Sequence, residues 1–190
     1  TQPSRMPWCC WRESLKTQRT LRAENDFVNS VPPWFKSLMI KIGVISDTHG
    51  LLRPEAVEAL HDSHCIIHAG DIGDPAILSK LGELAPVTAV RGNVDREKWA
   101  RRIPETNVLE VAGISIYVVH DLYKLDLKPE SAGFAAVISG HSHVPTQEFK
   151  NGVLYFNPGS AGPRRFKLPV SVGRMIVENG TVQGEIVELR

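Results

Sequence analysis

Seven side chains able to hold a divalent cation fall at the ends of apolar runs along this chain. Asp47-Thr48-His49 follows the run 40–45, Asp71 follows the run 65–68, and Asn93 follows the run 87–90. His120 closes the run 114–119, and His141 and His143 follow the run 135–138. Carboxylate, amide and imidazole donors without a thiolate suit Mn, Zn, Fe and similar divalent ions. Two Asp, one Asn and four His are too many donors for one four-coordinate zinc. Two ions can share them, with one carboxylate bridging the pair. Such a pair converts water to hydroxide near neutral pH and clamps the attacking and leaving oxygens of a phosphoryl transfer. Asp47-x-His49 and His141-x-His143 each put both side chains on one face of an extended segment. Gly70, Gly92 and Gly140 let the backbone turn sharply or approach closely beside the ligands. Taken singly, each residue has a structural reading, Asp47 as a loop N-cap and His120 as a core or surface imidazole. Seven of them at successive strand ends make ligation the stronger reading.

Bringing these residues together requires strands whose carboxyl ends meet, as in open α/β sheets. The early half reads as βαβαβ: strands over 40–45, 65–68 and 87–90, with helices opening at Pro54 and at Asp74-Pro75. Val57 and Leu60, then Ile77, Leu78 and Leu81, carry the helical spacing. The late half reads mostly as strands. Runs over 106–111 and 114–119 meet at Ala112-Gly113, 147–150 and 153–156 flank Asn151-Gly152, and 172–177 and 181–189 flank Asn179-Gly180. Asn-Gly between alternating apolar runs is a strong hairpin signal. The pattern predicts an α/β fold with two sheets packed face to face and helices outside.

A chain of 190 residues, 42% hydrophobic and 23% charged, suits one globular domain with some chain to spare. The formal net charge of +1 provides no global field to recruit nucleic acid or an anionic membrane. No apolar run is long enough to span a bilayer, and no secretory signal is evident. Cys9, Cys10 and Cys65 form neither a disulfide framework nor a CxxC motif, which fits a reducing cytoplasm. Residues 1–38 differ from the rest: they hold three of the four Trp, lack a sustained period, and carry six Lys or Arg against three Asp or Glu. That is +3, leaving −2 for residues 39–190. The reading favours 1–38 as a disordered extension or a non-native start, with the natural product opening at Met39; the competing reading is a basic, Trp-bearing arm that docks on a partner. The catalytic domain is assigned to 39–190.

Asp47-x-His49, Gly70-Asp71, Gly92-Asn93-x-Asp95, His120 and Gly140-His141-Ser142-His143 together resemble the calcineurin-like metallophosphoesterases. With Asn157-Pro158-Gly159-Ser160 and the short chain, residues 39–190 are similar to the small bacterial and archaeal phosphodiesterases of the YfcE/MJ0936 type, relatives of Vps29. The resemblance implies a four-layer αββα sandwich of two mixed sheets flanked by helices. It implies one metal held by Asp47, His49, Asp71 and His143 and another by Asp71, Asn93, His120 and His141, with Asp71 bridging. Catalytic roles fall to Asp71, Asn93 and His120, and substrate contacts to Asn93, Ser160 and Arg164. Family habit favours Mn2+, with Ni2+, Zn2+, Fe2+ and Mg2+ as alternatives, and homo-oligomers of two or more copies. Many phosphomonoesterases of the superfamily carry a His after the motif Asn, where it protonates a leaving group; here that position is Val94. Many relatives have Gly after the strand-end His; here it is Asp121, read first as a helix cap and second as an acceptor for a ligand imidazole.

The remaining candidates have plainer readings. His61 and His64 flank a turn, His68 precedes Gly70, Trp99 packs in the core, and Arg164, Arg165 and Lys167 form a solvated basic run, or more weakly a contact for an anionic substrate. Asn157-Pro158-Gly159-Ser160 is a turn whose N–H groups either serve only the turn or approach substrate phosphate. The favoured function is hydrolysis of a small phosphate ester, most naturally a diester. A Vps29-type scaffold is the alternative, opposed by the complete ligand set. A nuclease is the weakest reading, since the catalytic region lacks a basic face or a DNA-binding insertion.

Overall fold

The computed structural model describes residues 39–190; the expectations for residues 1–38 lie outside the described residues. In chain order the elements are β1 (Ile40–Ile45), α1 (Pro54–Leu60), β2 (Cys65–His68), α2 (Pro75–Gly82), β3 (Val87–Ala89), β4 (Thr106–Val111) and β5 (Ile114–Val119). They continue with β6 (Phe134–Ile138), β7 (Thr146–Lys150), β8 (Val153–Asn157), β9 (Ser171–Glu178) and β10 (Thr181–Glu188). Each helix opens on a proline whose missing N–H costs nothing in the first turn, and Asp74 caps α2 by accepting from the Ala76 N–H at 2.8 Å. At the three hairpin turns Ala112-Gly113, Asn151-Gly152 and Asn179-Gly180, both residues have positive φ, which matches the turn to the strand twist.

The strands form two mixed sheets, ordered β10-β9-β1-β2-β3 and β4-β5-β6-β8-β7. In the first, β1, β2 and β3 run parallel. In the second, β5, β6 and β8 run parallel. Ile42, Val44, Ile67, Met175 and Val177 of the first sheet face Ile116, Val118, Ile138, Leu154 and Phe156 of the second across a common core. The outer face of the first sheet packs through Ile45 and Ile66 on Ala56 and Leu60 of α1 and Ile77 and Leu81 of α2. The outer face of the second, with Tyr117, Val119, Phe134, Val137 and Val153, is covered by Leu125 and Leu127. The expected four-layer sandwich is therefore present, with its fourth layer reduced to the segment after β5, which carries only a 3-10 turn at Leu122–Lys124.

The two sheets approach closely at Phe156. A Cβ on Gly184 would lie 2.7 Å from its ring, and Gly173 likewise leaves no room for one. A fully buried aromatic seated on two glycines of the opposite sheet has no neighbour able to collapse into its space. Phe156→Ala should therefore cost about 3–5 kcal/mol, seen as a lower urea midpoint at unchanged m-value.

Candidate metal centre

The carboxyl ends of β1, β2, β3, β5 and β6 converge at one edge of the sandwich. Backbone bonds tie their loops together: His49 N–H donates to the Asp71 carbonyl at 2.9 Å, Gly140 N–H to His120 at 2.9 Å, and Ala161 N–H to Ser46 at 3.0 Å. A Cβ at Gly92 would collide with Asp71 Oδ1 and one at Gly140 with Ser46 Oγ, so the close approach of these loops admits only glycine. Five of the seven predicted ligands have left-handed backbone: Asp47 (φ 54), His49 (φ 45), Asp71 (φ 54), His141 (φ 66) and His143 (φ 59). Non-glycine residues in that region cluster at functional sites, held there by surrounding structure.

All seven predicted residues come together, in two groups that meet at Asp71. In the first, His143 Nε2 lies 3.3 Å from Asp47 Oδ1 and 3.3 Å from His49 Nε2, and His49 Nε2 is 3.9 Å from Asp71 Oδ2. In the second, Asn93 Oδ1 lies 3.1 Å from both His120 Nε2 and His141 Nδ1, and His120 Nε2 is 3.4 Å from Asp71 Oδ1. The two oxygens of Asp71 thus face different groups. His120 Nδ1–H donates to the Ala69 carbonyl at 2.7 Å, which leaves Nε2 as the ring's ligating nitrogen in the neutral form. Asp47 Oδ1 is buried and accepts no hydrogen bond, with two imidazole nitrogens within 3.9 Å. Lone pairs of acidic and imidazole groups aimed at one another call for a shared cation, and this oxygen and nitrogen donor set fits divalent metal ions.

The electrostatics divide the two carboxylates. Burial pushes the Asp47 carboxyl up, although Ser46 Oγ–H donates to it at 2.6 Å. Burial also acts to raise Asp71, but His120, the Val94 N–H and neighbouring imidazole charge outweigh it and hold the carboxyl at about 2. Burial disfavours charge on both His120 and His143. On His120 the hydrogen bond and charge of Asp71 reverse the outcome and raise its pKa; on His143 burial prevails, aided by Arg165 and His49, and lowers it.

Around the ligands stands a set of buried groups that fix them. Asp95 accepts from the N–H groups of Ile72, Gly73 and Gly92 at 2.8–3.1 Å, locking the β2 loop to the β3 loop. Asn157 Nδ2 donates to the Gly140 carbonyl at 2.7 Å and so holds the turn into His141. Ser160 Oγ–H donates to the Asp47 carbonyl at 3.0 Å. The N–H groups of Gly159 and Ala161 are taken by Asn157 Oδ1 and the Ser46 carbonyl, so this turn serves the scaffold. Asp121 caps the following 3-10 turn, accepting from Tyr123 N–H at 3.0 Å. Arg164 lines a separate cavity with Arg53 and Glu55, whereas Arg165 Nη2 reaches within 3.4 Å of His49 Nε2. Of the basic run, then, Arg165 rather than Arg164 stands at the centre; the sequence marks both alike. His61 and His64 stay outside the cluster, His64 accepting from Lys41 N–H at 3.0 Å.

A model of the calcineurin-like phosphoesterase superfamily domain matches residues 40–180. The chain belongs to that superfamily. This phosphoesterase is 38% identical over 151 residues to a protein of Methanocaldococcus jannaschii described as a probable metallophosphoesterase, covering 73% of this chain and 76% of that one. It is similar to the solved structure of an archaeal phosphodiesterase, at 25% identity and TM-score 0.65, over 78% of this chain and all of that one. Vps29 of Chaetomium thermophilum shares the fold at 18% identity and TM-score 0.63, over 79% of this chain and 97% of that one.

His68 lies beneath the phosphoesterase centre, wholly buried. Its Nδ1 accepts from Gly70 N–H at 3.2 Å, so Nε2–H donates to Thr48 Oγ1 at 3.0 Å, and Thr48 in turn donates to the Ile72 carbonyl at 2.9 Å. Burial pushes its pKa down to about 4. The unfolded chain therefore binds a proton that the folded protein refuses between about pH 6.5 and 4, so stability falls as pH drops through that window. The full loss is on the order of 3 kcal/mol. Urea unfolding of chelator-treated protein should be steeper in pH over this range than that of His68→Gln, whose side chain does not titrate there.

Proposed function

We propose that this phosphoesterase hydrolyses a small phosphodiester at a centre of two divalent metal ions. The observation that carries the reading is the split of the Asp71 carboxylate, with Oδ2 toward His49 and Oδ1 toward His120. On this reading Asp47, His49, Asp71 and His143 hold one ion and Asp71, Asn93, His120 and His141 hold the other. Mn2+ is favoured by the mixed oxygen and nitrogen donors. Bound there, the cations supply the Lewis acidity that activates water and stabilises charge developing on the phosphoryl oxygens.

The chain's own groups define the rest. Arg165 stands beside His49, where the N–H groups of its guanidinium not turned to that ring would donate to a non-bridging phosphate oxygen, a planar donor suited to that anion. Ser46 and Asn157 hold Asp47 and the His141 turn in place before substrate arrives. Val94, half-exposed beside Asn93, offers no proton to a departing alkoxide, and Asp121 is engaged in its cap. Esters whose leaving groups depart without a proton are therefore the preferred substrates. The archaeal phosphodiesterase among the similar structures agrees with the diester preference.

Chelated protein should not hydrolyse bis(p-nitrophenyl) phosphate, and reloading with Mn2+ should restore turnover. Asp71→Asn should lower kcat/KM by more than about a hundredfold, the several kcal/mol that metal polarisation is worth. Folded protein that stays inactive with every candidate metal would return the reading to a scaffold of the Vps29 type. Arg165→Ala should raise KM about tenfold, as the loss of one hydrogen bond to a charged group predicts.

A further inference from the structure

Uncovered apolar side chains surround the metal centre. Ten large apolar residues are exposed among the described residues, and six of them lie within three positions of a ligand or of Arg165. Leu51, Val94, Leu122 and Val144 are 40–44% exposed, Tyr123 is 98% and Phe166 is 94%. They stand on the loops that leave the carboxyl ends of β1, β3, β5, β6 and β8, at one edge of the sandwich. Phe166 follows Arg165, which reaches His49 of the first ligand group, and Tyr123 follows His120 of the second by three residues. Each ligand group thus has one bare aromatic ring nearby. The Phe166 backbone is left-handed (φ 52), in a turn closed by the Leu168 N–H on the Arg165 carbonyl at 3.1 Å, with Pro163 and Pro169 on its flanks. A bulky residue is held in that region only by the structure around it, so the ring is presented to water and not merely left loose.

Apolar side chains gathered at one face mark a surface that meets a partner, and charge selects which. Residues 159–170 carry Arg164, Arg165 and Lys167, all exposed, and no acid, although residues 39–190 together are net negative. The attraction for an anion is therefore local to the Phe166 loop; beside Tyr123, Lys124 is offset by Asp121 and Asp126. A protein partner is met by a continuous apolar patch from which lysine is depleted. Here the apolar side chains stand on separate loop tips, with cations on both sides of Phe166. That pattern suits the headgroup layer of a bilayer, where aromatic rings sit at headgroup level and Lys and Arg are drawn to anionic lipid. We propose that this edge docks on an anionic phospholipid surface, with Phe166 and Tyr123 entering the headgroup layer and Arg164, Arg165 and Lys167 meeting lipid phosphates. The contact is peripheral and reversible, since two rings and three cations fall far short of a spanning helix. It goes beyond the hydrolase reading and does not rest on it: the centre opens toward a lipid–water boundary whatever it turns over.

The test is co-sedimentation of the full Mn2+-loaded chain with vesicles of phosphatidylcholine alone and of phosphatidylcholine and phosphatidylglycerol in equal parts. At low salt the anionic vesicles should bind it about a hundredfold tighter, since each Lys or Arg near such a surface contributes roughly fivefold. The gap should close as salt rises. Phe166→Ser and Tyr123→Ser should each weaken binding about tenfold, the loss of a partly buried ring. Lys167→Glu should weaken it about twentyfold, an attraction replaced by a repulsion. All three positions are exposed, and the urea midpoints of the variants should match the wild type. Equal binding to both vesicles, or binding that all three variants leave intact, would overturn the docking surface. Binding to neither vesicle would overturn it too, and would leave the exposed apolar side chains to a protein partner. Turnover of bis(p-nitrophenyl) phosphate is scored separately. A protein that binds as described and turns over no diester loses the hydrolase reading and keeps the docking surface; one that hydrolyses the diester and ignores vesicles does the reverse.

Discussion

Two buried carboxylates and four imidazoles drawn to one edge of a sandwich repel, desolvate and compete with one another unless positive charge is placed among them. Asp71 sits at the middle of that arrangement, and its neighbours hold its carboxyl ionised at about 2 while burial drives the Asp47 carboxyl the other way. The surrounding structure follows from keeping these groups at close range. Asp95 gathers three N–H groups from two loops, Asn157 and Ser160 tie the turn after β8 to the ligand turns, and Gly92 and Gly140 remove the side chains that would hold the loops apart. The parallel strands matter chiefly because they deliver their carboxyl ends to the same edge.

Much of this is legible in the residues. Strand ends marked by Asp, Asn and His give the seven-membered cluster, and Asn-Gly turns give two hairpins of the later half almost to the residue. The thinning of the fourth layer is not legible, because a covering segment with scattered apolar residues such as Leu125 and Leu127 has no period to detect. Nor is the choice between Arg164 and Arg165. Adjacent residues of one type in a loop differ only in where the backbone turns, and that depends on contacts such as Arg53 to the Gly162 carbonyl, more than a hundred positions apart. The buried supports escape for a related reason. Asp95, Asn157 and Ser160 act on backbone groups of distant loops, so their partners appear only when the chain is folded.

The reading of the Asn157-Pro158-Gly159-Ser160 turn shows how one motif leaves two roles open. Its N–H groups resemble an anion-binding nest in sequence, yet those of Gly159 and of the following Ala161 are spent on neighbouring oxygens once the turn closes. Arg165, on the loop that follows, reaches within 3.4 Å of His49 Nε2.

The left-handed backbone at five ligand positions carries an evolutionary consequence. Each such residue holds about 1–3 kcal/mol of conformational strain that a glycine, and to a lesser degree an asparagine, would release. A copy of this gene freed from its chemistry would therefore gain stability by drifting away from Asp and His at these positions. The set of seven is thus a slope that random mutation descends wherever no function holds it.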